Sequence, residues 1–232
     1  MKNKLTVFLT ALLMSFSTSA FSFEGFSIGA TYSSLDFSTS GKEISTGAVG
    51  SDNTLSSVST TKTGSGDLGL VFAEYTFAQG TTIGVEHISG TAELGKGSRT
   101  EDSLSTDSGS HNGTVTVKAD ISDPTTFYVE PTWMANDRFG IYLKGGATRV
   151  SISPKEVSDS AGIVDSTYGS KDVWGIMTGF GAKAYYNNFF VKAEYVETEF
   201  ETYSFTSTTG DKNTINADVD TEETRISIGY NF

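Results

Sequence analysis

The last ten residues, Glu223-Thr224-Arg225-Ile226-Ser227-Ile228-Gly229-Tyr230-Asn231-Phe232, alternate without a break. Thr224, Ile226, Ile228, Tyr230 and Phe232 share one parity; Glu223, Arg225, Ser227, Gly229 and Asn231 share the other. A β-strand sends successive side chains to opposite faces. The stretch therefore predicts a strand with one apolar face and one face of charged and small residues, the pattern of a transmembrane barrel strand.

Working outward, the same period recurs in seven further segments. Phe26, Ile28, Ala30 and Tyr32 oppose Ser27, Gly29, Thr31 and Ser33. Val71, Ala73, Tyr75 and Phe77 oppose Glu74 and Thr76. Ile83 and Val85 oppose Thr82, Gly84 and Glu86. Phe127, Val129, Pro131 and Trp133 oppose Tyr128, Glu130 and Thr132. Phe139, Ile141, Leu143 and Ala147 oppose Gly140, Tyr142, Lys144, Gly146 and Thr148. Trp174, Ile176, Phe180, Ala182 and Ala184 oppose Gly175, Met177, Gly179, Gly181 and Lys183. Phe189, Val191, Ala193 and Tyr195 oppose Phe190, Lys192 and Glu194. Proline lacks a ladder donor, which places Pro131 at a bulge.

The connections alternate in length. Three are short, near Gln79, Asp137 and Asn187; four are long, at roughly 38–66, 90–115, 153–172 and 200–220. Short periplasmic turns and long outside loops are the habit of outer-membrane barrels. The expected fold is thus all-β, an eight-stranded antiparallel up-and-down transmembrane β-barrel over residues 23–232. The long connections, rich in Ser, Thr, Gly and Asp and poor in apolar residues, are expected to rise as hairpins above the membrane, mobile at their tips.

Residues 1–22 read as a signal peptide: Lys2 and Lys4, an apolar run from Leu5 to Phe16, then small residues permitting cleavage after Ala20 or Ser22. The run is too short to span a membrane as a helix. Export to the bacterial outer membrane follows.

Composition narrows the function. The formal charge is −12, and −14 without Lys2 and Lys4. So acidic a chain is a poor partner for nucleic acid. With no cysteine, disulfides and thiolate metal sites are excluded.

Two eight-stranded barrels fit the alternation. A lipocalin-like barrel packs its apolar face inside; a membrane barrel turns it to lipid. The polar parity carries Glu74, Glu86, Glu130, Lys144, Lys183, Lys192, Glu194 and Arg225, four acids and four bases among glycines. Facing inward, these charges can pair, which is what makes a buried charge tolerable, and the glycines give them room. The apolar parity sets Phe77, Trp133, Phe139, Phe189, Tyr230 and Phe232 beside the short turns, an interfacial aromatic girdle. Both features favour the membrane barrel.

The terminal Phe232, with Tyr230 two residues before it and alternating apolar residues upstream, resembles the last strand of bacterial outer-membrane proteins. The whole chain is similar to the small eight-stranded OmpA/OmpX-like and opacity-porin-like barrels. That resemblance implies recognition of the C-terminal strand by the barrel-assembly machinery, contact with outer-membrane lipid and lipopolysaccharide, and a monomer without cofactor.

Little in the chain points to chemistry, and no enzyme activity is expected. His87-Ile88-Ser89 resembles the His-x-Ser of outer-membrane lipid A deacylases, with Glu93 as a conceivable acid, but the motif comes too early in the chain and its flanks differ. His111 falls in a long connection and is expected to be solvated. Asp218, Asp220 and Glu222 share one strand face and offer oxygen ligands for a divalent cation, although the spacing matches no EF-hand loop. The leading expectation is a structural or surface-interaction barrel with a narrow charged lumen. A small passive porin-like pore is the alternative, and a lipid A-modifying hydrolase a remote one.

Overall fold

A computed structural model describes residues 23–45, 56–88, 91–104, 110–158, 168–208 and 214–232. The expected signal peptide and its cleavage site lie outside the described residues, as do residues 46–55, 89–90, 105–109, 159–167 and 209–213. The elements are β1 (Gly25–Ser45), β2 (Ser56–Thr76), β3 (Thr81–His87), β4 (Thr91–Leu104), β5 (Ser110–Asn136), β6 (Phe139–Ser158), β7 (Lys171–Tyr186), β8 (Phe189–Phe200), β9 (Tyr203–Thr206) and β10 (Thr214–Asn231).

These ten elements make an eight-stranded ring. The antiparallel order β1-β2-β3-β5-β6-β7-β8-β10 closes through β10 on β1, in register from Ser27↔Asn231 to Ile44↔Thr214. β4 carries on along β5 from Thr91↔Ser122. β9 carries on along β10 after Glu201 and Thr202. Closure removes the sheet edge, the only way a sheet can satisfy its backbone in lipid.

The three short turns fall where the sequence places them. At the first, Gly80 takes a φ of 85°, and its N–H donates to the Phe77 carbonyl at 2.8 Å. At the second, the Arg138 N–H donates to Asn136 Oδ1 at 2.9 Å, a side chain standing in for backbone. Asn187 adopts φ 53°, which asparagine tolerates better than most residues.

The long connections rise as paired strands, as the sequence reading expects. β1 and β2 run 21 residues each, where a tilted membrane strand needs about 9–11. They pair to Ser45↔Ser56, so most of the stretch read as a long connection is ladder. His111 likewise lies in β5, opposite Ser103. The expected bulge at Pro131 is absent: pairing with β3 runs unshifted to Thr81↔Pro131, and the β5–β6 register is the same on either side of it. The β5–β6 register shifts instead between Ser122 and Thr125, where Pro124 follows Asp123 at φ 50°, and again between Met134 and Asn136 at the turn.

Two halves of the barrel have opposite polarity. In the periplasmic half, outward residues are apolar and exposed: Phe26, Ile28 and Tyr32 on β1, Ile141 on β6, Val191 on β8, Ile226 and Ile228 on β10. Inward residues there are small, charged or aromatic. Further along the same strands the pattern inverts with no slip of pairing. On β1 the outward residues become Ser34, Asp36 and Ser38, while Leu35 and Phe37 take the inward parity. On β10, Asp218, Asp220 and Glu222 face out, and Ala217 and Val219 are buried. On β6, Arg149 faces out between buried Thr148 and Val150.

The inversion marks where the strands leave the membrane. Within lipid, the outside must be apolar. Above it, water covers the outside and the hydrophobic effect drives apolar residues in. There Val150, Ile152, Tyr168, Val173, Tyr203, Phe205, Ala217 and Val219 form one core cluster. Burial, with Asp218 nearby, pushes the Tyr203 phenol up to about 12. The membrane and lipocalin-like patterns thus each describe one half of this chain.

Candidate functional site

All eight charges singled out from the sequence are buried inside the ring. They sort into two connected tiers. In the tier nearer the periplasm, Lys192 Nζ lies 2.5 Å from Glu74 Oε2 and 3.3 Å from Glu130 Oε2. Lys183 Nζ pairs with Glu130 and stands 3.7 Å from Glu74 Oε1. The Tyr128 hydroxyl donates to Glu74 at 2.7 Å. Two carboxylates thus share two ammonium groups.

In the second tier, Lys144 Nζ is 3.0 Å from both Glu86 and Glu194. Arg225 Nη1 reaches Glu86 at 2.6 Å, and its Nε reaches Glu223 at 2.9 Å. Ser33 Oγ donates to Glu223 at 2.6 Å. Sequence reasoning placed Glu223 on the inward parity but left it out of the network. Its signal was adjacency: two residues from Arg225 on one strand face, the side chains are neighbours.

Aromatic rings pack between the charges. The Lys144 ammonium sits 4.1 Å from the Tyr128 ring centroid, Lys192 4.9 Å from Phe72, and Lys183 5.2 Å from Tyr142. Such rings stabilise a desolvated cation through their negative faces. Glycines on opposing strands make room: a methyl at Gly84 would collide with the Tyr128 ring, and one at Gly181 with the Tyr142 ring. An eight-stranded ring has just enough interior for side chains, and at the level of the two tiers they fill it.

Below the tiers, buried Phe72, Tyr185 and Phe190 pack with Phe23 and Met134. Phe23 and Tyr185 stack with centroids 3.8 Å apart. Above the tiers, Met177 and Val196 are fully buried beside Tyr128. The lumen is therefore charged only at its middle; the sequence reading of a narrow charged lumen describes that middle and not the two ends.

Phe139, Phe189, Tyr230 and Phe232 are exposed at the periplasmic rim, while Phe77 and Trp133 are partly covered. Phe189 and Tyr230 meet edge to face at 5.1 Å, and Tyr230 and Phe232 at 5.2 Å. Phe26 and Phe232, with ring centroids 5.9 Å apart, carry the girdle across the closing seam.

The remaining candidates do not converge. Asp218, Asp220 and Glu222 share the outward face of β10; Thr202 donates to Asp218 at 2.5 Å, and Tyr195 to Glu222 at 2.9 Å. Among the described residues no group of three or more such side chains is arranged to hold a metal ion. His87 faces outward at the top of β3, its Nδ1 2.9 Å from Thr125 Oγ1. Ser89 and the Glu93 side chain lie outside what is described.

A closed ring of amphipathic strands, with an apolar belt and an aromatic rim, defines a β-barrel of the bacterial outer membrane. A model of the family described as outer membrane protein beta-barrel domain matches residues 8–232, and the chain belongs to that family. No curated protein sequence matches it. Among solved structures it is similar to the outer membrane protein OprG from Pseudomonas aeruginosa, at 14% identity over 93% of this chain and 99% of that one, with a TM-score of 0.55. It also matches Ail of Yersinia pestis, solved with the heparin analogue sucrose octasulfate, at 14% identity over 88% and 99%, with a TM-score of 0.39. The likeness to OprG is one of fold.

Proposed function

We propose that the protein is a non-enzymatic structural and surface-interaction barrel whose lumen is sealed to solutes. One observation carries this reading: the two-tier ion network spans the lumen, with side chains from β2, β3, β5, β6, β7, β8 and β10 each held by an opposite charge. A conducting pore needs hydrated space at every level. Here the middle is occupied by paired charges and the periplasmic end by rings.

Function then belongs to the outside hairpins. Their exposed carboxylates, among them Asp36, Asp218, Asp220 and Glu222, suit a basic partner or divalent-bridged lipopolysaccharide. The reading includes export by a signal peptide cleaved after Ala20 or Ser22, assembly through the strand ending in Phe232, and a monomeric state. Planar-bilayer recording tests the seal. The purified protein should give no steady openings. Steady openings altered by Lys144→Ala would overturn the seal and favour the pore.

A further inference from the structure

Above the second tier the lumen is not filled. A cavity of about 320 Å³ lies between β1, β2, β5, β6 and β8. Its walls include Leu35, Leu70, Ile88, Ile121, Val150 and Phe200, and its floor is Glu86, Glu223 and Arg225. A methyl group at Gly66, on the inward parity of β2, would meet nothing within 4 Å, so the inner side of β2 borders open space there.

The wall beside the cavity is parted. Pairing of β2 with β3 stops at Val71↔His87. Residues 56–70 of β2 pair with β1, and β4 pairs with β5. Among the described residues the other edge of β2 over 56–70 has no ladder partner. The break is built in: the Ile88 N–H turns to the Pro124 carbonyl at 3.0 Å, opposite the bulge at Asp123. The seam begins at Val71, the last exposed apolar residue of β2 before Gly69 and Asp67. Its lower end thus lies where the apolar belt meets the outer interface.

We infer that this cavity is a binding chamber for a small neutral amphiphile, with its mouth at the seam between β2 and β4. Pockets that hold small molecules start at about 300 Å³, are mostly apolar, and carry a few polar groups that orient the ligand. At roughly 30 Å³ per small group, the chamber takes on the order of ten non-hydrogen atoms. The floor selects the head group. Arg225 is already shared by Glu86 and Glu223, two carboxylates to one guanidinium, so a ligand carboxylate finds repulsion there. A hydroxyl can donate to the remaining carboxylate lone pairs without paying for a buried charge. The class is therefore an alkanol or a similar uncharged, hydroxyl-bearing apolar molecule.

The test uses the full barrel in lipid nanodiscs and a diazirine-bearing octanol as photoprobe, with labelled peptides mapped by mass spectrometry. Saturable labelling is expected on the peptides bearing Leu70, Ile88 and Val150, with unlabelled octanol competing at least ten-fold better than octanoate. Gly66→Phe, which places a ring in the chamber without touching the ion network, should cut that labelling at least ten-fold while heat-modifiable gel migration stays unchanged. Leu70→Trp provides a second filling variant should Gly66→Phe fail to fold. Label confined to lipid-facing peptides, unchanged by the filling variants, would overturn the chamber. Equal competition by octanoate would overturn the neutral head group.

Discussion

Replacing Lys144 with methionine removes one cation from the second tier while keeping most of its volume. Glu86 keeps Arg225, 2.6 Å away, but Glu194 loses the ammonium it faces at 3.0 Å. At that distance the Coulomb attraction is about 5.5 kcal/mol for an effective dielectric of ~20. The desolvation already borne by both ions offsets much of it while the pair is intact. Once the pair is broken, the carboxylate keeps its penalty with only the more distant charges of Lys192 and Arg225 to offset it, so Lys144→Met should cost about 3–5 kcal/mol. Lys144→Met with Glu194→Gln removes both charges and should recover more than half of that loss. The assay is reversible denaturant unfolding from phospholipid vesicles, followed by fluorescence of Trp133 and Trp174. A single variant within ~1 kcal/mol of the native chain, or a double variant no more stable than Lys144→Met alone, would refute the pairing.

Further outcomes follow from the same geometry. Ile141, 54% exposed on the apolar belt, should cost roughly 2–4 kcal/mol when changed to Arg if it lies near the bilayer midplane, in the same vesicle titration; no loss would show that this face does not meet lipid. Cysteines at Ser38 and Thr206, exposed on the outside hairpins, should react with an impermeant thiol reagent on intact cells, and one at Asn187 should not; the reverse pattern would invert the topology. Tyr203, with its phenol raised to about 12 against about 10 in the unfolded chain, contributes stability that is complete below pH 10 and lost as pH rises to 12. Tyr203→Phe should flatten that part of the stability–pH curve; an unchanged slope would count against the buried phenol.

Much of the ring was legible because two signals agree. The period-2 alternation marked eight strands, and the three short turns carry the residues their backbone needs. Charges on the parity opposite Ile141, Val191 and Ile228 pointed inward by the same count. What escaped was the polarity inversion. Leu35 and Phe37, Leu68 and Leu70, and Tyr203 and Phe205 alternate as regularly as the membrane strands do. Tyr203 and Phe205 sit among so many Ser, Thr, Gly and Asp that residues 200–220 read as a connection, and Leu35, Phe37, Leu68 and Leu70 lie at the ends of stretches read as strands, whose apolar face is set by their membrane part. Composition describes both faces together, whereas burial selects one.

Pro131 and Pro124 show a second limit. Both lack a ladder donor, but only Pro124 has beside it a residue, Asp123, that accepts a positive φ and makes a bulge. Nor does the alternation report free volume. A Cβ on Gly140 would lie 2.8 Å from Met134 Sδ, so even Gly140→Ser, on the inward parity, must displace that thioether.

The inversion is the central claim, and spin labels along β10 test it most directly. Single nitroxides at Ile228, Asp220 and Val219, in bilayers, are compared for collision with dissolved oxygen and with a water-soluble nickel chelate. Ile228 should be open to oxygen and closed to nickel, Asp220 open to nickel, and Val219 closed to both. Oxygen access at Asp220 together with nickel access at Val219 would mean that lipid covers the upper strands and water fills their interior, and the account would be wrong.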